Sequence, residues 1–223
     1  MPDDAQRLMQ VLDILDPLYQ AHPMDIMTEG NPYKVLVACI LSLRTKDETS
    51  LPASQRLFCL AETPEAMVAL SEETIAQTVY PVGFYRNKAR TIRDVSDTLL
   101  QRFEGQVPNT LEGLLTLKGV GRKTANLVLG LGFRQPAVCV DIHVHRICNR
   151  LGVCATRHPD DTETELRGML PPDPYWRIIN RVLVLHGRAI CRPIGPRCAQ
   201  CPVAPACQHA KTRLPRRESS YCI

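Results

Sequence analysis

The chain has 223 residues, 44% of them hydrophobic and 22% charged, with a formal net charge of +4. That length suits one large domain or two small ones sharing a core, and the composition excludes wholesale disorder. The mild positive excess permits nucleic-acid binding without showing it. The first residues, Met1 to Arg7, begin acidic and lead into no apolar run, so no secretory signal is expected.

The first predicted element is an amphipathic helix: Leu8, Val11, Leu12, Leu15 and Leu18 fall at spacings of three and four. Tyr33 to Leu43 is the longest nearly apolar stretch. A bilayer span needs about 20 residues, so this stretch predicts a buried helix and a soluble protein that stays where it is made. Helix starts follow at Asn31-Pro32, Thr63-Pro64-Glu65, Ser71-Glu72-Glu73 and Asn109-Thr110, each a capping residue ahead of a helical run. Ile92, Val95, Leu99, Leu100 and Phe103 repeat the helical spacing, and prolines and glycines are expected between helices rather than within them. Ala137 to Val140 is the nearest candidate for a strand, and it is short. The chain reads as all-α.

Between two of these helices lies Leu117-Lys118-Gly119-Val120-Gly121-Arg122-Lys123-Thr124-Ala125-Asn126. Two glycines flanking an apolar residue let the backbone turn through conformations that side-chain-bearing residues resist. Val120 anchors the turn. Free amides at the start of the second helix, with its dipole, favour an anion such as phosphate. A tight interhelical turn alone would explain the glycines, and a solvated surface charge would explain Lys123. Arg122 and Lys118 shift the balance towards nucleic acid, because phosphate contacts position a protein on DNA without regard to sequence.

Ten cysteines are present, in a chain with no sign of export. Cys39, Cys59, Cys139, Cys148 and Cys154 lie in apolar or helical patterns and read as core, and Cys222 sits in the tail. Cys191, Cys198, Cys201 and Cys207 form C-x6-C-x2-C-x5-C, a metal site for which structural zinc and an iron–sulfur cluster both stand open. From Gly187 to Arg217 there is no Asp or Glu, while Arg188, Arg192, Arg197, Lys211, Arg213, Arg216 and Arg217 are all present.

The hairpin segment, followed by Val140-Asp141-Ile142-His143-Val144-His145-Arg146, resembles the core signature of the endonuclease III family, within the helix-hairpin-helix DNA glycosylases. The likeness extends to Leu41-Ser42-Leu43-Arg44-Thr45-Lys46-Asp47, Val82-Gly83-Phe84-Tyr85-Arg86-Asn87-Lys88-Ala89 and Leu185-His186-Gly187-Arg188, and it ends with the cysteine cluster. It covers about Asn31 to Cys207.

The resemblance implies a base-excision repair enzyme acting on damaged duplex DNA, removing oxidised pyrimidines and cutting the abasic site. Lys123 becomes the Schiff-base nucleophile, its amine freed by a depressed pKa beside a helix N-terminus and cations. Asp141 becomes the catalytic carboxylate, a role that leaves room for an N-cap as well. Arg44, Gly119, Val120, Gly121, Arg122, His143, Arg192 and Arg197 become DNA contacts; Arg192 and Arg197 could equally offset cluster charge. The four cysteines become ligands of a [4Fe–4S] cluster rather than zinc.

It further implies two helical lobes flanking a DNA-binding cleft. One is a six-helix bundle with the hairpin, at about 25–135; the other is a cluster domain built from 1–24 and 136–223. A monomer without membrane association is expected, cytoplasmic and nucleoid-associated in a prokaryote. Lys118 stands where relatives often carry proline, and Arg44 where better-known relatives carry glutamine; the hairpin should survive the first change. Val82 and Phe84 are candidate wedges or core. Alternatives are a thymine–guanine mismatch glycosylase, or an adenine-mismatch glycosylase. The latter lacks the lysine and carries a further C-terminal domain for which a chain ending at Ile223 has no room. A non-catalytic DNA-binding module is the remaining alternative.

Overall fold

Local capping chemistry sets where most helices begin. The computed structural model describes residues 3–20, 23–28 and 30–213, and every regular element among them is helical. The helices are α1 (Asp4–Leu15), α2 (Pro23–Thr28), α3 (Pro32–Ser42), α4 (Asp47–Leu60), α5 (Pro64–Ala69), α6 (Glu72–Val79) and α7 (Tyr85–Phe103). They continue as α8 (Leu111–Leu115), α9 (Arg122–Leu127), α10 (Ile142–Leu151), α11 (Pro159–Met169), α12 (Arg177–Ala189) and α13 (Gln208–Arg213). All four expected caps form. Asn31 accepts from the amides of Tyr33 and Lys34, Thr63 from Ala66, Ser71 from Thr74, and Thr110 from Gly113. Each satisfies amides that a helix start leaves without an internal partner.

Chain contacts divide the protein into two compact units, 21–139 and 1–20 with 140–223. In the first unit α3 is the central helix. Tyr33 and Val35 through Leu41 are all buried in it, which is why this segment shows little amphipathic pattern and reads as a continuous apolar run. It packs against α2, α4, α7 and α9. Ile92, Val95 and Leu99 bury one face of α7 in the same core.

In the second unit α12 packs against α1 and α10, and α10 against α11 and α13. Leu8, Val11, Leu12 and Leu15 bury the inner face of α1. The N-terminal segment is tied down further by polar contacts. Arg181 pairs with Asp16 and donates to the Tyr19 carbonyl, and Arg7 donates to the Gly152 carbonyl at 2.8 Å.

Three expectations need correction. Leu18 falls outside the buried face of α1, because the helix stops at Leu15 and a tight turn through Pro17 changes its phase; it is exposed. Pro52 lies inside α4, where it removes one helical N–H. Cys59 is exposed near the end of α4 rather than core, although Cys39, Cys139, Cys148 and Cys154 are buried as expected. Ala137 to Val140, the nearest candidate for a strand, is buried and forms none, in keeping with the all-α reading. Cys222, Arg216 and Arg217 lie outside the described residues. No helix of the described residues is long and apolar enough to cross a membrane.

Candidate functional site

The hairpin is built from α8, the turn 116–121 and α9. The two glycines of the turn do different work. Gly119 has φ 81°, a left-handed conformation, and a Cβ there would lie 2.8 Å from the Thr91 methyl group on α7. Gly121 is extended (φ −97°, ψ 175°), exposed, and has no neighbour within 4 Å of a virtual Cβ. Only Gly119 is therefore required by backbone conformation, which corrects the expectation that both are. Open space at Gly121 leaves its backbone approachable from outside. Val120 is buried in the core between them, as an anchor should be.

Lys123 is the second residue of α9 and half-buried. Its own carbonyl accepts from the Cys139 thiol at 3.5 Å, so a buried cysteine also braces the start of the helix. Arg122 is half-buried beside it. Lys118 reaches back to Asp94 of α7 at 3.1 Å, an exposed pair of small energetic worth that still fits the charge into the hairpin without distortion.

Two further loops of this unit come together. Arg44 is exposed with φ 52°, and Phe84, the N-cap of α7, is exposed with φ 57°. Thr45 Oγ1 accepts from the Gly83 amide at 3.2 Å, and a Cβ at Gly83 would sit 3.3 Å from both the Arg44 carbonyl and Thr45 Oγ1. Val82 is buried, so its core role prevails over a wedge role, while Phe84 projects outward. Lys88, which sequence reasoning passed over, is buried behind these loops with its amine bonded to Leu41, Leu43 and Thr45.

In the other unit, Asp141 is the N-cap of α10. One carboxylate oxygen, Oδ1, accepts from the amides of His143 (2.8 Å) and Val144 (2.9 Å), so the capping role is real. His143 Nδ1 lies 3.0 Å from Arg146 Nη2. Arg146 also donates to the Cys191 carbonyl at 2.9 Å and to the Gly187 carbonyl at 3.4 Å. A Cβ on Gly187 would lie 2.6 Å from His143 Nδ1, so the glycine of Leu185-His186-Gly187-Arg188 permits the close passage of α10 and α12.

One turn further along α10, Arg150 Nη1 donates to Cys191 Sγ at 3.3 Å and to the Arg192 carbonyl at 2.6 Å, and Nη2 to the Pro193 carbonyl at 2.8 Å. Buried His186 touches Tyr19 Oη through Nδ1 (3.1 Å) and Cys201 Sγ through Nε2 (3.6 Å). These arginines and this histidine were missed as cysteine partners. The only signal available was Arg146 and Arg150 at i, i+4 on one helix face.

The four clustered cysteines are free thiols, each partly buried. Burial pushes the Cys201 thiol up to about 11, and Cys207, Cys191 and Cys198 add to that rise. Cys207 is pushed up by burial in the same way, with repulsion from Cys191 and Cys198. Positive charge nearby would be needed to ionise Cys201 and Cys207 together. The Arg150 guanidinium donates to one of the four sulfurs, and the His186 ring lies against another. No group of three or more His, Cys, Asp or Glu side chains among the described residues is drawn closely enough to hold a single metal ion. By its chemistry a set of four thiolate donors suits either structural zinc or an iron–sulfur cluster. Arg192 and Arg197 are exposed on the loop between the first two cysteines, with Gly195 at φ 62° near its tip.

A helical hairpin that presents a lysine, a capped aspartate and a four-thiol loop define a helix-hairpin-helix DNA repair protein. The family model described as "HhH-GPD superfamily base excision DNA repair protein" matches residues 37–172. Endonuclease III of Thermotoga maritima is 44% identical over 83% of this chain and 86% of its own length, and that of Bacillus subtilis 34% identical over 84% and 85%. Endonuclease III homolog 1, chloroplastic, of Arabidopsis thaliana is 40% identical, and the match spans about half (49%) of that longer protein. A solved structure of a trapped endonuclease III–DNA covalent intermediate superposes with TM-score 0.85 at 33% identity, covering 94% of this chain and 98% of the other. The chain belongs to the endonuclease III family of the HhH-GPD superfamily.

Proposed function

We propose that this base excision repair glycosylase and lyase removes oxidised pyrimidines from duplex DNA, with Lys123 as its nucleophile. The observation that carries this is the hairpin. Gly119 turns the chain, Val120 anchors the turn, and α9 begins with Arg122 and Lys123. Phosphates of the damaged strand take the amides of the turn around Gly119, Val120 and Gly121, with Arg122 adding charge. The damaged nucleotide leaves the stack, since its C1′ cannot be reached within the duplex.

Lys123 Nζ, unprotonated, attacks C1′; the C1′–N bond breaks and the base departs with a proton. The sugar ring opens to a Schiff base. A proton then leaves C2′, the C3′–O bond breaks, the 3′ phosphate is expelled by β-elimination, and water finally releases Lys123. Asp141 stabilises positive charge developing on the sugar and assists proton transfer, using carboxylate geometry already fixed by the His143 and Val144 amides. Arg44 serves the opposite strand, and His143 contacts the backbone.

Cys191, Cys198, Cys201 and Cys207 would hold a [4Fe–4S] cluster, which would supply structural order and a docking loop. Arg192 and Arg197 on that loop meet phosphates. Metal analysis should find iron, with broad absorbance near ~400 nm; zinc without iron would overturn the assignment.

The test is a panel of duplexes carrying thymine glycol, an abasic site, adenine opposite 8-oxoguanine, or thymine opposite guanine. Incision of the first two, lost in Lys123→Gln, is expected. Preference for thymine opposite guanine would move the protein to mismatch repair. Binding of all four without cutting would make it a docking module.

A further inference from the structure

Three acceptors converge on one buried amine in the 21–139 unit. Lys88, 7% exposed, lies in the first turn of α7. Its Nζ donates to the Leu41 carbonyl at 2.8 Å, to the Leu43 carbonyl at 2.5 Å and to Thr45 Oγ1 at 3.0 Å. Leu41 belongs to the last turn of α3 and Leu43 is its C-cap, so these carbonyls have no helical donor of their own. An ammonium with three hydrogens suits them.

Arg44 sits between two of the tethered groups. Its backbone is left-handed, which an arginine adopts only when the surroundings hold it there. The Leu43 carbonyl on one side and the Thr45 hydroxyl on the other are both held by Lys88. The same hydroxyl accepts from the Gly83 amide, and the Lys88 backbone N–H donates to the Phe84 carbonyl at 3.0 Å. Phe84 is the second left-handed residue, 63% exposed. The Lys88 side chain therefore ties the Arg44 loop to the first turn of α7, directly after Phe84, and the Thr45 hydroxyl it bonds carries the tie on to Gly83. Burial of the charge is itself unfavourable and draws the amine down to about 8, which makes a purely decorative role for it uneconomical.

We propose that Lys88 is a positioning residue that holds Arg44 and Phe84 in one preset arrangement, so that recognition of the base opposite a lesion depends on a side chain buried behind the loops. This rests on the proposed reading of those loops as facing DNA. A preset pair meets the duplex without first being ordered, which lowers the cost of binding. The chemistry at Lys123 is not altered by it.

The experiment is a steady-state double-mutant cycle of Lys88→Met and Arg44→Ala on thymine-glycol duplexes with each of the four opposite bases. Lys88→Met, which removes all three bonds, should raise KM about tenfold through the lost preset arrangement, flatten the opposite-base preference, and leave kcat within about twofold. In the Arg44→Ala background the same change should move KM by less than about twofold, since its intermediary is gone. Thr45→Val should reproduce the effect and Thr45→Ser should not; this pair decides the matter if Lys88→Met fails to fold. Additive KM effects, a fall in kcat with unchanged opposite-base preference, or Thr45→Val behaving like wild type would overturn the role. Wild-type protein that cuts none of the duplexes would instead refute the proposed function, leaving Lys88 as a loop clamp of a different protein.

Discussion

Replacing each hairpin glycine by alanine separates folding from DNA contact. At Gly119 two penalties combine. A side-chain-bearing residue in the left-handed region costs roughly 1–2 kcal/mol. The new Cβ would also meet the Thr91 methyl at 2.8 Å, far inside ordinary carbon contact. That methyl cannot swing aside cheaply, because Thr91 Oγ1 donates to the Asn87 carbonyl at 2.9 Å and fixes the rotamer. Overpacking of this kind costs about 1–3 kcal/mol, and alanine regains only about 0.4–1 kcal/mol through the unfolded chain.

The net expectation is a loss of about 2–4 kcal/mol, read as a lower urea midpoint at constant slope. Adding Thr91→Ser keeps the hydroxyl bond and removes the methyl, so it should restore the packing share and leave the backbone share. Gly121→Ala meets nothing within 4 Å and keeps an extended φ, so its stability should stay within about 0.5 kcal/mol of wild type. On the proposed reading of the hairpin as a phosphate site, its affinity for abasic-site duplex should fall, because the added methyl would crowd the approaching phosphate. Equal destabilisation by the two alanines, or no recovery with Thr91→Ser, would refute this division of labour.

Three further outcomes follow from the same geometry. Asp141→Asn keeps an efficient N-cap and should leave stability nearly unchanged while excision falls steeply; Asp141→Ala should in addition cost about 1 kcal/mol in denaturant titration. Removing Arg192 or Arg197 should each lower the slope of log K against log salt by about 1, with kcat unchanged at saturating duplex; an unchanged slope would assign these arginines to the cluster instead. Lys88 has its folded pKa near 8 against an ordinary 10.5, so the folded protein holds fewer protons in that interval. Its contribution to stability should therefore rise from pH 8 to 10.5 and disappear as pH falls through 8, and Lys88→Met should flatten that part of the stability–pH curve.

Much of the helical framework was legible because it is local. Asn31, Thr63, Ser71 and Thr110 act on amides two or three residues away, and sequence spacing reports such contacts directly. Leu18 was misplaced because a single tight turn at Asp16–Leu18 breaks the periodicity on which the reading depended. Gly119 and Gly121 look alike in sequence and differ only in φ and in what α7 places opposite them. Lys88 stayed hidden for the opposite reason: its acceptors are backbone carbonyls and a hydroxyl more than 40 positions away, which carry no residue signature. The same holds for Arg150, whose partners are a sulfur and two carbonyls of the cysteine loop. Lys123 and Asp141 came from family resemblance, since a lysine in a first turn and an aspartate at an N-cap are individually ordinary.

The central claim is covalent, and covalent capture tests it most directly. Borohydride added during turnover of an abasic or thymine-glycol duplex should reduce the imine and leave one protein–DNA adduct, which peptide mapping by mass spectrometry assigns to Lys123. Failure to form an adduct during strand cleavage, or attachment through any other residue, would contradict the account.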